Sequence, residues 1–236
     1  MISEAAAPVA TMATTGVLQA QGLACRRGHR RLFNGLDLRL APGQAIWLRG
    51  PNGCGKTSLL RILAGLVRPA EGEVRFDGTP VHALTADQRG RLRFVGHANA
   101  LKSELRVGEA LGFLAGLSDG AGLPAITRER IAQALEQVGL VGRLDSFVGT
   151  LSQGQRRKAT LARLMLDDEP RTWLLDEPLD ALDADGVSRF EAWLDAHAAR
   201  GGAVLMTSHA PLHSAVLTQF ELAPSGPLHA AAVASP

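Results

Sequence analysis

The first third of the chain carries apolar and polar residues in alternation, the pattern of half-buried β-strands. Leucines occupy every second position from residue 36 to residue 40, with polar residues between them. A second such run, residues 73–76, is followed by Asp77-Gly78, a dipeptide that is typical of a hairpin turn. Residues 17–76 are therefore predicted to be mostly β-structure.

The rest of the chain contains segments with helical spacing of apolar residues and short apolar segments that predict strands. Residues 45–49 predict one such strand, and a glycine-rich loop then leads into a predicted helix over residues 56–66. From residue 85 to residue 151 the apolar spacing predicts helices. The last third is predicted to alternate between helix and strand, at about 155–166, 172–175, 184–200 and 203–207. This order predicts an α/β fold with a parallel-sheet core, an antiparallel β edge and a helical insertion.

The length of 236 residues suits a single domain. We predict one domain over residues 17–223, with a helical subdomain at about 97–168. The segments 1–16 and 224–236 are predicted to be disordered tails, since the first is rich in Ala, Thr and Pro and the last contains no charged residue.

Charge and cysteine content narrow the classes of partner and compartment. The formal net charge of +2 argues against nucleic acid as the main partner. Two cysteines, Cys25 and Cys54, are too few for a disulfide framework and suit a reducing cytosol. Two uncharged stretches, 5–25 and 201–220, are interrupted by polar residues and are not expected to span a membrane. Because no secretory signal is recognisable, we expect a soluble cytoplasmic protein.

A phosphate-binding motif lies between the predicted strand 45–49 and the helix that follows. It reads Gly-Pro-Asn-Gly-Cys-Gly-Lys-Thr and matches G-x-x-x-x-G-K-[ST]. Small residues let backbone N–H groups turn toward a phosphate; Lys56 is expected to reach the β- and γ-phosphates of ATP or GTP, and the Thr57 hydroxyl to hold Mg²⁺. A chance glycine-rich turn is the alternative, but one of only three lysines stands where the mechanism needs it. The residues predicted to contact the nucleotide are Gly50, Pro51, Asn52, Gly53, Cys54, Gly55, Lys56, Thr57 and Ser58.

Two carboxylates end an apolar strand at Asp176 and Glu177. Asp176 is expected to bind Mg²⁺, and Glu177 to polarise water as a general base. An acidic turn after a strand is a common arrangement, so this motif gains its meaning from its position downstream of the phosphate loop.

A third motif, the signature loop 151–155, reads Leu-Ser-Gln-Gly-Gln and precedes a basic helical stretch. One interpretation is that Ser152 is simply the N-cap of that helix and that the basic residues form a solvated first turn. However, cations at a helix N-terminus oppose the helix dipole. A polyphosphate bound there would explain both the exposed N–H groups and the positive charge.

Together these motifs resemble those of the ATP-binding cassette family, and the resemblance covers roughly residues 23–222. The phosphate loop, the signature loop, the acidic strand, a loop at 181–183 and His209 follow in the order of that family. The resemblance implies a P-loop NTPase fold that uses ATP and Mg²⁺. It also implies a homodimer in which the signature loop of one copy closes over the ATP of the other. The residues that it assigns to this contact are Ser152, Gly154 and Gln155.

The resemblance assigns further roles around the nucleotide. His209 is expected to contact the γ-phosphate and to orient the water that Glu177 activates. His97 stands where the family usually has a Gln beside Mg²⁺ and the attacking water, and a supporting catalytic role is expected for it. Arg27 stands where an aromatic residue usually stacks on adenine; its guanidinium either stacks on the base or belongs to a solvated hairpin. Gln153 replaces the first glycine of the signature loop.

Within the family, three segments are most similar to the ATP-binding subunits of cytochrome c maturation: residues 50–74, 96–111 and 173–187. This resemblance implies an ATPase of haem export or handling, including release of the haem-loaded chaperone. It implies integral-membrane partner subunits, a peripheral location on the cytoplasmic face of the inner membrane, and no nucleic-acid partner. Two alternatives stay open: a cassette for another exported or imported substrate, and a soluble cassette ATPase that acts as a mechanical switch.

Overall fold

A computed structural model describes residues 16–28, 30–118, 126–167 and 169–223. The two predicted tails lie outside these ranges except for Gly16. The N–H of Gly16 donates a hydrogen bond of 2.6 Å to Asp77 Oδ1, so this residue is anchored to the hairpin turn.

Within the described ranges the chain forms nine strands and six α-helices. The strands are β1 (Leu18–Arg27), β2 (Arg30–Leu40), β3 (Ala45–Arg49), β4 (Glu71–Phe76), β5 (Thr79–Pro80), β6 (Leu92–Val95), β7 (Thr172–Leu175), β8 (Ala203–Thr207) and β9 (Leu217–Glu221). The helices are α1 (Lys56–Leu63), α2 (Ala86–Gly90), α3 (Val107–Ser118), α4 (Arg128–Gln137), α5 (Gln153–Ala162) and α6 (Ala184–Ala199). Short 3₁₀ turns occupy Val81–Ala83, Val148–Thr150 and Arg163–Leu166.

Two sheets organise the molecule, and they confirm the predicted α/β class. Four antiparallel strands form the first sheet in the order β2-β1-β4-β5. Five parallel strands form the second in the order β6-β7-β8-β3-β9. The inner strands β7 and β8 are buried along their whole length, which explains why they are continuous apolar runs in the sequence.

Three apolar clusters hold these layers together. The first packs α1 between the two sheets, through buried Leu59, Leu60, Ile62 and Leu63. The second joins α3, α4 and α5 into a helical bundle within the predicted insertion. The third packs α6 on the parallel sheet, where Phe190 and Leu194 are fully buried.

Both edge strands of the parallel sheet differ from the sequence prediction. β6 lies within the region 85–151, which the spacing predicted as helical, and β9 was not predicted as a strand. β6 alternates between half-buried and buried residues, and every residue of β9 is exposed or half-buried, so neither strand is a long apolar run. Pairing with β7 and with β3, far away in sequence, determines these strands.

Parallel strands place their carboxyl ends at the same edge of a sheet. β3 leads into the phosphate loop, β7 into Asp176, and β8 into Ser208 and His209. The three motifs that were separate in the sequence therefore meet at this edge.

Candidate functional site

An open cavity of about 570 Å³ lies at the carboxyl edge of the parallel sheet. It is lined by residues of the hairpin, the phosphate loop, the acidic strand end and the loops after β6 and β8. These residues are Arg27, Arg30, Leu32, Asn52, Gly53, Gly55, Lys56, Thr57, Ser58, His97, Asp176, Glu177, Asp180 and His209.

Glycines give the phosphate loop its path. Gly50, Gly53 and Gly55 have φ angles of 141°, 75° and 112°, a region that residues with a Cβ rarely adopt. A Cβ at Gly50 would also lie 2.5 Å from the carbonyl oxygen of Leu222. The loop thus requires glycine both for its conformation and for the close approach of the neighbouring backbone.

Three predicted nucleotide contacts, Gly50, Pro51 and Cys54, do not line the cavity. The Cys54 side chain is only 2% exposed and packs into the first apolar cluster. Its N–H donates to the carbonyl of Pro51 at 3.3 Å. These three residues contribute to the path of the loop, while the other six predicted contact residues line the cavity.

Lys56 is the first residue of α1, at the positive end of the helix dipole. Its ammonium donates hydrogen bonds to the carbonyls of Gly50 at 2.7 Å and Pro51 at 3.4 Å. The cation is therefore held across the mouth of the phosphate loop, where phosphate oxygens can replace the carbonyls as acceptors.

Asp176 is buried between two threonine hydroxyls. Thr57 Oγ1 donates to Asp176 Oδ1 at 3.0 Å, and Thr207 Oγ1 donates to the same oxygen at 3.1 Å. Asp176 Oδ2 is buried and has no hydrogen-bond partner among the residues that the structure describes. Leaving a buried carboxylate oxygen without a partner is costly. A hard cation such as Mg²⁺ fits this group, because it prefers carboxylate and hydroxyl oxygens and is usually held by few protein ligands.

Glu177 has a φ angle of 50°, in the left-handed region, and its neighbours hold it there. Its N–H donates to Thr207 Oγ1 at 2.8 Å. Its Oε2 accepts the N–H of His209 at 3.1 Å, and its Oε1 lies 3.5 Å from His209 Nε2. Non-glycine residues in this region are strained, and such strain is often found at functional sites. The structure thus places the predicted base, Glu177, in direct contact with His209, which is predicted to contact the γ-phosphate.

His97 lines the cavity, and its Nδ1 lies 3.1 Å from Asp180 Oδ2. Asp180 was not among the predicted site residues, although it follows Glu177 by three positions and carries a charge. Arg27 lines the cavity together with Arg30, which was also not predicted. Only the antiparallel pairing of Arg27 with Arg30 across the hairpin brings the second guanidinium to the site.

No residue of the signature loop lines the cavity of its own chain. Ser152 is the N-cap of α5, and its Oγ accepts the N–H of Gln155 at 3.2 Å. Gln155 Oε1 accepts the Ser152 N–H at 3.0 Å, which completes a capping box. Gln153 begins the helix, whereas a Cβ on Gly154 would lie 2.6 Å from the carbonyl oxygen of Ala181. Glycine is therefore required at position 154 but not at 153.

In the parts of the chain that the structure describes, no helix has the length and apolar character that crossing a membrane requires.

Comparison with known proteins identifies the family. The sequence profile described as ABC transporter matches residues 33–180. The cytochrome c biogenesis ATP-binding export protein CcmA of Pseudomonas fluorescens is 45% identical over 196 residues, which are 83% of this chain and 90% of that protein. CcmA of Methylococcus capsulatus is 47% identical over 192 residues, or 81% and 90% of the two chains.

Solved structures agree on the fold. An ABC transporter ATP-binding protein from Pyrococcus furiosus superposes with a TM-score of 0.74 at 24% identity, covering 88% of this chain and 98% of that one. A dimeric bacterial ABC transporter cassette gives a TM-score of 0.73 at 21% identity, covering 87% and 94%. The chain belongs to the ABC transporter family, as one of its ATP-binding subunits.

Proposed function

We propose that this chain is the ATP-hydrolysing subunit of a membrane complex that serves cytochrome c biogenesis by exporting or handling haem. The observation that carries the proposal is its identity of 45% to 47% with CcmA proteins over more than four fifths of its length. Its own site supports the ATPase part, since the phosphate loop, Asp176, Glu177 and His209 face one cavity.

The triphosphate of ATP is placed over the phosphate loop, with Lys56 on the β- and γ-phosphates. Thr57 and the free oxygen of Asp176 would hold Mg²⁺, which supplies positive charge to the phosphates when bound. Glu177 accepts the proton of the water that attacks the γ-phosphate. His209 fixes the carboxylate through its backbone N–H and faces the same phosphate with its ring. His97, held by Asp180, supports the orientation of this water.

A second copy of the chain is needed to complete the site. Ser152, Gly154 and Gln155 surround the exposed N-terminus of α5 but do not line the cavity of their own chain. A helix N-terminus favours anions such as phosphate. We place the α5 N-terminus of one copy over the ATP of the other, in a head-to-tail homodimer with two sites.

The membrane-spanning part of the complex is assigned to separate integral-membrane subunits of the cytochrome c maturation system. The chain is placed peripherally on the cytoplasmic face of the inner membrane. Nucleic acid has no role in this function.

Complementation tests the proposal. A bacterial strain without its own CcmA receives this chain or its Glu177→Gln or Arg189→Gln variant, with the matching membrane subunits, and covalent haem in c-type cytochromes is measured. Arg189 pairs with Asp185 on the exposed face of α6, does not line the cavity, and serves as the control. We expect the wild type and Arg189→Gln to restore cytochromes and Glu177→Gln to fail. Membrane-bound wild-type protein that restores none would refute the assignment to cytochrome c biogenesis.

A further inference from the structure

Arg157 is a buried cation on α5, two residues after the signature loop, and only 2% of it is exposed. Its guanidinium donates four hydrogen bonds, and every acceptor is a backbone carbonyl. Nε reaches Pro178 O at 3.1 Å, and Nη1 reaches Gly96 O at 2.9 Å. Nη2 reaches Asp176 O at 3.0 Å and Glu177 O at 2.5 Å.

Burying a guanidinium is expensive, so these bonds require an explanation beyond simple packing. Burial lowers the pKa of Arg157, although the charges of Asp180, Asp176 and Glu177 oppose that shift. An arginine nevertheless stays charged at neutral pH. The planar guanidinium offers donors in fixed directions, which suits it to hold several carbonyls at once.

The four carbonyls belong to the two loops that carry the proposed catalytic side chains. Gly96 directly precedes His97 in the loop after β6, and Asp176, Glu177 and Pro178 follow β7. Glu177 is strained, with its N–H held by Thr207 and its carbonyl held by Arg157. Arg157 therefore fixes one side of the peptide chain that aims the Glu177 carboxylate.

We propose that Arg157 is a positioning residue that links the signature helix α5 to the backbone of Glu177 and of the His97 loop. This inference rests on the proposed role of Glu177 as general base. A partner nucleotide that binds at the N-terminus of α5 then acts, through Arg157, on the geometry of the base in the same chain. Arg157 itself touches neither ATP nor the attacking water.

The test compares kcat, KM for ATP, nucleotide affinity and thermal stability in Arg157→Gln and Arg157→Lys. We expect Arg157→Gln to lower kcat by about 10- to 100-fold, because small displacements of a catalytic group have effects of this size. Fluorescent ATP should bind with wild-type affinity, since the phosphate loop is untouched. Arg157→Lys should recover part of kcat, because an ammonium in the same place reaches some of the carbonyls.

Arg93→Gln provides the matched control, since Arg93 is also buried, at 4% exposure, but binds the carboxylate of Asp167. It should lower stability as much as Arg157→Gln does while leaving kcat near the wild-type value. The inference is wrong if folded Arg157→Gln keeps full kcat, or if kcat falls equally in both variants. Should Arg157→Gln fail to fold, the kcat of Arg157→Lys is compared with that of Arg93→Gln instead. A folded Arg157→Lys with full kcat, or with a loss equal to that of Arg93→Gln, would then overturn the inference. An active Glu177→Gln variant would instead refute the proposed base, whatever the Arg157 variants show.

Discussion

Glu177 illustrates how a single side chain acquires a role from its surroundings. Its carboxylate is 12% exposed, at the edge of the cavity, and His209 holds one of its oxygens. We expect Glu177→Gln to lower ATP turnover about 100-fold or more, since an amide cannot accept the proton of the attacking water. ATP binding should persist and the closed homodimer should accumulate. Phosphate release and light scattering with ATP would measure both, and a variant with wild-type turnover would contradict the assignment.

Glycine is needed at position 154 because there is no room for a Cβ, and not because the backbone there has an unusual φ angle. A Cβ there would lie 2.6 Å from the carbonyl oxygen of Ala181, a residue with a φ of 63° in the loop after Glu177. Gly154→Ala should therefore displace that loop and destabilise the protein by about 1–3 kcal/mol, the usual cost of overpacking. Urea unfolding would measure the loss. Gly116→Ala, on α3, is the matched control, because no atom of the described residues outside the nearby helix backbone lies within 4 Å of a Cβ there.

The contiguous motifs of the site could be predicted from the sequence, because each one is a short string with a fixed chemical purpose. Residues that reach the site only through contacts between distant segments of the chain could not be predicted in this way. Thr207 bonds to both Asp176 and Glu177 only because β7 and β8 are neighbours in the sheet. Asp180 gains its partner, His97, in the same way, across β6 and β7. No local pattern marks such contacts.

At the scale of elements, α5 has an N-terminus built for stability in the single chain. The Ser152 capping box satisfies N–H groups at this end. Thr127 caps α4 through its side chain without a capping box, by accepting the N–H of Arg130 at 3.2 Å. The two caps thus share a structural role, but only Ser152 belongs to the proposed contact with a partner nucleotide.

This difference makes a prediction about two equivalent substitutions. Ser152→Ala and Thr127→Ala should each lower the free energy of unfolding by about 1 kcal/mol, the typical loss of an N-cap. Only Ser152→Ala should also raise KM for ATP or lower kcat. Parallel denaturant titrations and ATPase assays would separate these effects. Equal ATPase activity in both variants would show that Ser152 serves as a cap alone.

Helices and buried strands were predicted well at this scale, whereas edge strands were not. α6 and β8 match their predicted ranges closely, because a long amphipathic helix and a fully apolar strand have strong patterns. β6 and β9 each have a single partner strand and include half-buried positions, so their sequences carry a weak signal. Their partners are distant in the chain, and only the assembled sheet specifies them.

At the scale of the whole molecule, acid sensitivity is built into the packing of α6 against the parallel sheet. His197 stacks on Trp173 with ring centroids 3.5 Å apart, and its Nε2 lies 2.7 Å from the carbonyl of Arg171. Burial lowers the pKa of His197 from 6.5 to about 4. Between these two values the unfolded chain binds a proton that the folded chain does not. The contribution of His197 to the free energy of unfolding is therefore complete above pH 6.5 and falls as the pH drops toward 4.

The expected loss from His197 is about 3 kcal/mol on going from pH 7 to pH 4. His197→Gln should remove this part of the pH dependence, although it also changes the packing at neutral pH. His213→Gln is the control, because the side chain of His213 is 83% exposed. Urea unfolding at a series of pH values would compare the slopes. Equal slopes in the wild type and His197→Gln would show that His197 does not titrate on unfolding.

The carbonyl contacts of Arg157 affect substitutions differently from insertions and deletions in the two loops that it joins. Because the guanidinium binds the main chain, substitutions at residues 96 and 176–178 leave its acceptors in place. An insertion or deletion of one residue in either loop would instead move a carbonyl out of reach, since each residue advances the chain by about 3.3 Å. Related sequences are thus expected to keep the length of these two loops, and to vary along them only at positions whose side chains have no role in the proposed site.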